Sequence, residues 1–230
     1  MKQAISIVIP ALNEEKGIGN TIRSIPKAIL QQMGYEVEIL VIDGASKDKT
    51  KKNALEAGAE VIVESRRGYG RAIKTGFIHA SGDIIVTVDA DSTYPINVIP
   101  ELVRILEQQK LDFLTTDRFA LMEQDAMSFR NKVGNMILAS EVRVLYGLNM
   151  KDPESGMWVF RKKILYDLRL DSDSWSFSHE IKIEACCYQK CRWKEIPIRY
   201  SSRCGETKLT NAWKVGLIDF CHIAKKRIKR

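Results

Sequence analysis

The chain has 230 residues, enough to bury one sizeable core. Its 45% hydrophobic and 28% charged residues exclude a disordered or low-complexity chain. The net charge of +7 comes largely from Lys225, Lys226, Arg227, Lys229 and Arg230, which argues against a basic nucleic-acid-binding face spread over the body.

Met1-Lys2-Gln3 runs directly into a strand-like stretch, which leaves no room for a signal peptide and implies a cytoplasmic protein. No run approaches the ~20 apolar residues that span a bilayer. The five cysteines include no C-x-x-C spacing, so reduced thiols are expected rather than a zinc site.

In chain order, β-branched apolar runs predict strands over 4–9, 38–42, 60–63, 84–88 and 113–116. Such near-continuous runs suit strands buried on both faces. Helix-length segments fall between them at 14–32, 47–57, 70–80 and 96–109, the first with Asn13 as its expected cap. The alternation predicts an α/β/α sandwich around a mainly parallel sheet, with ligands at the carboxyl ends of the strands. Beyond Asp117 a helix is expected over 126–146, with Phe129, Val133, Ile137, Val142 and Leu145 near its apolar stripe. A Pro/Gly loop at 152–156, a strand at 157–160, a helix over 179–189, a strand over 193–200 and a terminal helix complete the chain. No linker separates the halves, so 1–230 reads as one domain. It divides into an alternating strand-helix half (1–117), a second half (118–208) and an amphipathic basic helix (209–230).

Asp89-Ala90-Asp91 is the chemical focus. One aspartate after a buried strand can cap a turn, but a second two residues on adds repulsion. A magnesium or manganese ion bridging a diphosphate resolves it. Asp43 to Asp48 ends a second strand, either as a helix-capping turn or with Asp43 on a nucleotide base or ribose. The Arg66–Arg71 segment, with Gly68 and Gly70 before a helix, suits phosphate but is no dinucleotide fingerprint. Arg203 and Lys208 flank a flexible turn and could clamp a departing diphosphate. Gln189–Trp193 matches Q-x-x-R-W by chance, since it leads straight into a strand.

Val8–Glu15, Ile42–Thr50, Gly82–Asp91, Asp152–Gly156 and Ile196–Lys208 resemble, in order, the motifs of family 2 inverting glycosyltransferases with the GT-A fold. The later blocks, with Asp117–Met127, are similar to the polyprenyl (dolichyl)-phosphate hexose synthases, archaeal members in particular. The resemblance implies nucleotide-sugar contacts at Pro10, Leu12, Glu14 and Asp43. It implies metal or diphosphate contacts at Asp89, Ala90 and Asp91, with Arg203 and Lys208 on the diphosphate and Arg118 and Arg130 on the acceptor phosphate. The chain departs from the pattern at Gly44, where a second aspartate is usual, at Tyr69, where lysine is common, and at Thr93, where a metal-supporting glutamine is usual.

The resulting expectation is transfer of a hexose from a UDP-sugar or GDP-mannose to a polyprenyl or dolichyl phosphate, with Mg2+ or Mn2+. A lipid phosphate needs no general base; a soluble or glycan hydroxyl acceptor would need one, from Asp152 or Glu180. A sugar-1-phosphate nucleotidyltransferase is the weaker alternative, because no Arg/Lys-rich glycine loop follows the first strand. Trp213, Val215, Leu217, Ile218, Phe220 and Ile223 before the basic tail suggest a helix docked peripherally on the cytoplasmic face of a membrane.

Overall fold

A computed structural model describes residues 3–124, 126–203 and 212–229. Seven strands form one sheet: β1 (Ala4–Ala11), β2 (Glu36–Asp43), β3 (Glu60–Val63), β4 (Ile84–Thr87), β5 (Phe113–Met122), β6 (Trp158–Arg161) and β7 (Trp193–Tyr200). Their order is β3-β2-β1-β4-β6-β5-β7. β6 alone runs antiparallel, to both β4 and β5, and the other pairings are parallel.

The helices are α1 (Ile18–Arg23), α2 (Lys27–Gln32), α3 (Thr50–Glu56), α4 (Tyr69–His79), α5 (Ile99–Gln108), α6 (Phe129–Tyr146), α7 (Phe177–Ile183) and α8 (Ala212–Lys229). Strand alternation divides the core into two layers. Ile5, Ile7 and Ile9 of β1 pack with Ile18, Leu30, Ala54 and Leu102 from α1, α2, α3 and α5. Val8 faces the other way, onto a cluster that includes Ile73 and Phe77 of α4, Val142 of α6, Ile181 of α7 and Ile223 of α8. Gly76 lets α4 approach the sheet, since a Cβ there would sit 2.3 Å from Val8 Cγ1.

The first predicted helix, 14–32, is two helices. Pro26 lacks an amide donor and disfavours a helical residue before it, so α1 stops and α2 restarts. Nor does Asn13 cap α1: it is left-handed (φ 51°), and its side-chain carbonyl accepts the Lys47 amide at 2.8 Å. Pro10 does not stop β1, which pairs through Ala11 with Asp43. In α6 the buried residues include Leu138, Ala139, Val142 and Tyr146, whereas Phe129 is 82% and Ile137 49% exposed, so the expected stripe is rotated.

Candidate active site

Three loops leave the carboxyl edge of the parallel strands, and each holds a non-glycine residue in the left-handed region: Asn13 (φ 51°), Ala45 (φ 58°) and Ser92 (φ 64°). Such residues cost about 1–3 kcal/mol each and persist where the surroundings hold them. The first two loops brace each other. The Asn13, Glu14 and Glu15 amides donate to Ser46 Oγ (2.8 Å), Thr50 Oγ1 (2.7 Å) and Asp48 Oδ2 (3.1 Å). Asp43, at the end of β2, is buried and accepts the Ser46 amide. Asp48, not Ser46, receives the Thr50 amide at the start of α3, at 2.9 Å.

The Asp89–Asp91 loop lies against α1, where Gly17 is required because a Cβ would approach the Ala90 carbonyl to 2.6 Å. Ala90 itself is buried, and its carbonyl accepts Thr21 Oγ1 at 3.2 Å. Asp91 Oδ1 accepts the Thr93 amide (3.1 Å) and hydroxyl (2.7 Å), so Thr93 orients this carboxylate at the position where a glutamine was expected. Asp91 Oδ2 lies 3.3 Å from Arg203 Nη1, while Nη2 of the same guanidinium pairs with Glu14. Asp89 accepts no hydrogen bond among the described residues; burial, then the charge of Asp91, pushes its pKa up to about 7.

Opposite the acid pair, Arg118 donates from Nε (2.6 Å) and Nη2 (2.7 Å) to the carboxylate of Asp152, and Gly156 donates its amide to Tyr94 Oη (2.7 Å). A Cβ on Gly156 would lie 3.1 and 3.2 Å from the Asp89 oxygens, so the 152–156 loop reaches the acid pair with bare backbone.

These groups open into a pocket of about 690 Å³. Its polar end holds Asp89, Asp91, Arg118, Glu154 and Arg203; its other end is walled by α6 and α8, through Ile137, Leu138, Trp213, Leu217 and Phe220, with Met127 just before α6. Arg130 also lines it, with its guanidinium 5.7 Å from the Trp213 ring.

The structure thus gathers Asp89, Asp91, Arg118, Arg130 and Arg203 around one cavity. Pro10, Leu12, Glu14, Asp43 and Ala90 lie along the strand ends, outside its lining. Lys208 lies outside the described residues. Arg118 has two of its three nitrogens committed to Asp152, so it is less free for a phosphate than the sequence suggested. The Arg66–Arg71 segment offers no open helix end. Carbonyls of Ser174 and Asp173 accept the Gly70 and Arg71 amides, at 3.2 Å each, and a Cβ on Gly68 would strike the Asp173 carbonyl. Tyr69 instead stacks on Trp175, with centroids 4.9 Å apart, and lines the pocket. Asp152 and Glu180 are buried ion-pair partners of Arg118 and Lys226, so neither is available as a base.

Sequence reasoning missed Tyr200, Trp175 and the hold of His179 on Glu154. Tyr200 lines it at the end of β7, with Arg118 5.4 Å from its ring. Glu154 Oε1 lies 2.7 Å from His179 Nδ1, and His179 Nε2 lies 2.9 Å from His222 Nδ1. Burial opposes charge on His179, but the Glu154 carboxylate outweighs it and raises the imidazole pKa.

The donor set suits a hard divalent cation: two carboxylates, one of them without a hydrogen-bond partner among the described residues. Among the described residues no group of three or more His, Cys, Asp or Glu side chains converges for a metal. The rest of a coordination shell would therefore come from ligand phosphates and water, as magnesium and manganese sites commonly arrange it.

An α/β sheet with an acid pair, an arginine and a deep cavity at its carboxyl edge is the architecture of GT-A nucleotide-sugar transferases. The chain belongs to glycosyl transferase family 2, whose signature covers residues 6–169. It is 34% identical over 207 residues to the low-salt glycan biosynthesis hexosyltransferase Agl6 of Haloferax volcanii, covering 89% of this chain and 49% of that protein, about half its length. It is 29% identical over 205 residues to the dolichyl-phosphate hexose transferase of the same organism, covering 89% of this chain and 86% of that one. The fold matches crystalline glucosyl-3-phosphoglycerate synthase from Mycobacterium tuberculosis, in complex with Mn2+, UDP and glucosyl-3-phosphoglycerate. The TM-score is 0.75 at 21% identity, over 98% of this chain and 80% of that one.

Proposed function

We propose that this family 2 glycosyltransferase moves a hexose, with inversion, from a nucleotide-sugar to a polyprenyl phosphate of the dolichyl type. One observation carries the reading: a single cavity joins an acid pair and arginines at one end to an apolar wall of two helices at the other. A ligand with an anionic head and a hydrocarbon tail matches both ends. The dolichyl-phosphate hexose transferase relative and the Mn2+- and UDP-bound structural relative support the two halves of the assignment.

In this reading Asp89 and Asp91 would hold Mg2+ or Mn2+, which would supply positive charge against the leaving diphosphate. Pro10, Leu12, Glu14, Asp43 and Ala90 frame the nucleotide along the strand ends. Arg203 exchanges its contacts with Glu14 and Asp91 for diphosphate oxygens, and Lys208 joins it. Arg118 and Arg130 face the acceptor phosphate, Arg118 with the one nitrogen that Asp152 leaves over. A phosphate monoester has a second pKa near ~6, so the acceptor is largely ionised at neutral pH and attacks without a base. A hydroxyl acceptor is disfavoured because Asp152 and Glu180 are sequestered.

No helix among the described residues is long and apolar enough to cross a membrane. Trp213 and Leu217 on α8 line the cavity and are exposed, and the same two helices expose Ile218, Phe129, Met136 and Val144, which suits peripheral docking on the leaflet that holds the acceptor. Lys226 takes no part, because it is buried against Glu180 and Glu184. We assign the three segments 1–117, 118–208 and 209–230 to one transferase domain, with the cytoplasmic leaflet as its site of action.

The test is a screen of labelled UDP-hexoses and GDP-mannose with farnesyl phosphate and manganese. Label in the lipid fraction, reduced about 10²-fold or more in Asp91→Ala, is the expected result. Label on a soluble hydroxyl acceptor alone, or an unaffected Asp91→Ala enzyme, would refute it.

A further inference from the structure

Lys182, near the carboxyl end of α7, is 1% exposed, a place where lysine persists only with its charge matched. Its ammonium donates to the main-chain carbonyls of Asp152 (3.1 Å), Pro153 (2.8 Å) and Ser155 (2.8 Å). All three protons therefore end on one short loop. Three residues earlier on the same helix face, His179 holds the Glu154 side chain of that loop. α7 grips the loop by its backbone and by its one pocket-facing carboxylate.

The outer side of this loop belongs to the cavity. Asp152 sets Arg118, Glu154 and Gly156 line the pocket, and the Gly156 backbone abuts Asp89. Carbonyl oxygens turned toward that cavity would oppose any phosphate entering it; satisfied by the ammonium, they point away.

We infer that Lys182 is a positioning residue: by drawing three carbonyls of loop 152–156 inward, it fixes the face that this loop presents to an acceptor phosphate beside Asp89 and Arg118. The inference rests on the transfer reading above for the identity of the phosphate, but not for the grip on the loop.

The charged groups around the amine are the Asp152, Glu154 and Glu195 carboxylates and the Arg118 guanidinium, with the Cys186 thiol nearby. Burial pulls the lysine pKa down to about 8, so a neutral amine with one donor fewer forms within reach of ordinary assays.

The first measurement is hydrogen exchange across residues 150–158 in the wild type, Lys182→Met and Lys182→Arg. Loop amides should exchange about 10-fold faster or more in Lys182→Met, with β1 and β4 unchanged and with partial recovery in Lys182→Arg. Unchanged loop exchange, or an equal rise in β1 and β4, overturns the proposal. Should Lys182→Met not fold, the wild type decides. Its loop protection, corrected for intrinsic rates, should fall relative to β1 between about pH 7 and 9, as the amine that grips the loop loses a donor. A constant ratio overturns the proposal.

With farnesyl phosphate as acceptor, Lys182→Met should lose about 10-fold in kcat while the donor KM stays within about twofold. An unchanged kcat overturns the positioning role. Absence of wild-type transfer would instead refute the acceptor assignment and leave the exchange result standing.

Discussion

Replacing Asp152 by Asn tests whether the floor of the cavity is held by charge. Asp152 is fully buried and receives Arg118 Nε at 2.6 Å, Nη2 at 2.7 Å and the Arg118 amide at 3.1 Å. Asparagine keeps the volume but removes the charge and turns an amide donor toward a guanidinium donor. Breaking one side of a buried pair costs about 3–5 kcal/mol, because the remaining charge stays desolvated. In a chain of this size each kcal/mol moves the thermal midpoint by about 2–4 °C, so a fall on the order of 10 °C is expected. Burial opposes ionisation of Asp152, but Arg118 overrides it and lowers the pKa. The pair's stabilisation is therefore complete above the ordinary carboxylate pKa of ~3.9 and is lost as pH falls through the lower folded value, and Asp152→Asn should lack that acid-side loss. Urea unfolding of Asp152→Asn, Arg118→Met and the double variant is the assay. The double variant should be less destabilised than the sum of the singles by about 2–3 kcal/mol. A single-variant cost under about 1 kcal/mol, or additive effects, would refute the reasoning.

Gly156→Ala places a methyl 3.1 Å from an Asp89 oxygen and 3.0 Å from Tyr69 Oη. It should weaken Mn2+-dependent UDP binding by about 10-fold or more in calorimetry, while the thermal midpoint moves by only a few degrees. The His179–His222 pair sets a stability maximum near the free histidine pKa. His179 is raised, so its contribution is lost as pH climbs above 6.5; His222, lowered to about 4 by burial and by His179, stays neutral and disfavours the fold as pH falls from 6.5 toward 4. His222→Asn should flatten the acid side of that maximum in thermal scans run from about pH 4 to 8.

The parallel half and its acid pair were legible because their information is local. Ile84 to Val88 declares a buried strand, and two aspartates on the following turn need no distant partner to announce their repulsion. The same locality explains the errors. Asn13 looks like a cap only until Lys47, 34 residues away, claims its side chain. Lys226 reads as one cation in a basic tail, yet it is spent on Glu180 and Glu184 of another helix.

Loop 152–156 was legible only as a type, since its geometry is made by contacts across more than twenty residues. Nothing in His179–Lys182 signals that these side chains hold 152–156, because a polar helix face looks the same whether it meets water or a buried loop. The distinction lies in burial: a lysine at 1% exposure must discharge all three protons, and the carbonyls that accept them stand on the reverse side of a loop facing the acid pair. The two sides of the cavity are therefore built differently. The strand-end loops are held by left-handed turns and by hydrogen bonds from one loop to the other. Loop 152–156 is held by buried cations, Arg118 on the Asp152 carboxylate and Lys182 on the loop's carbonyls.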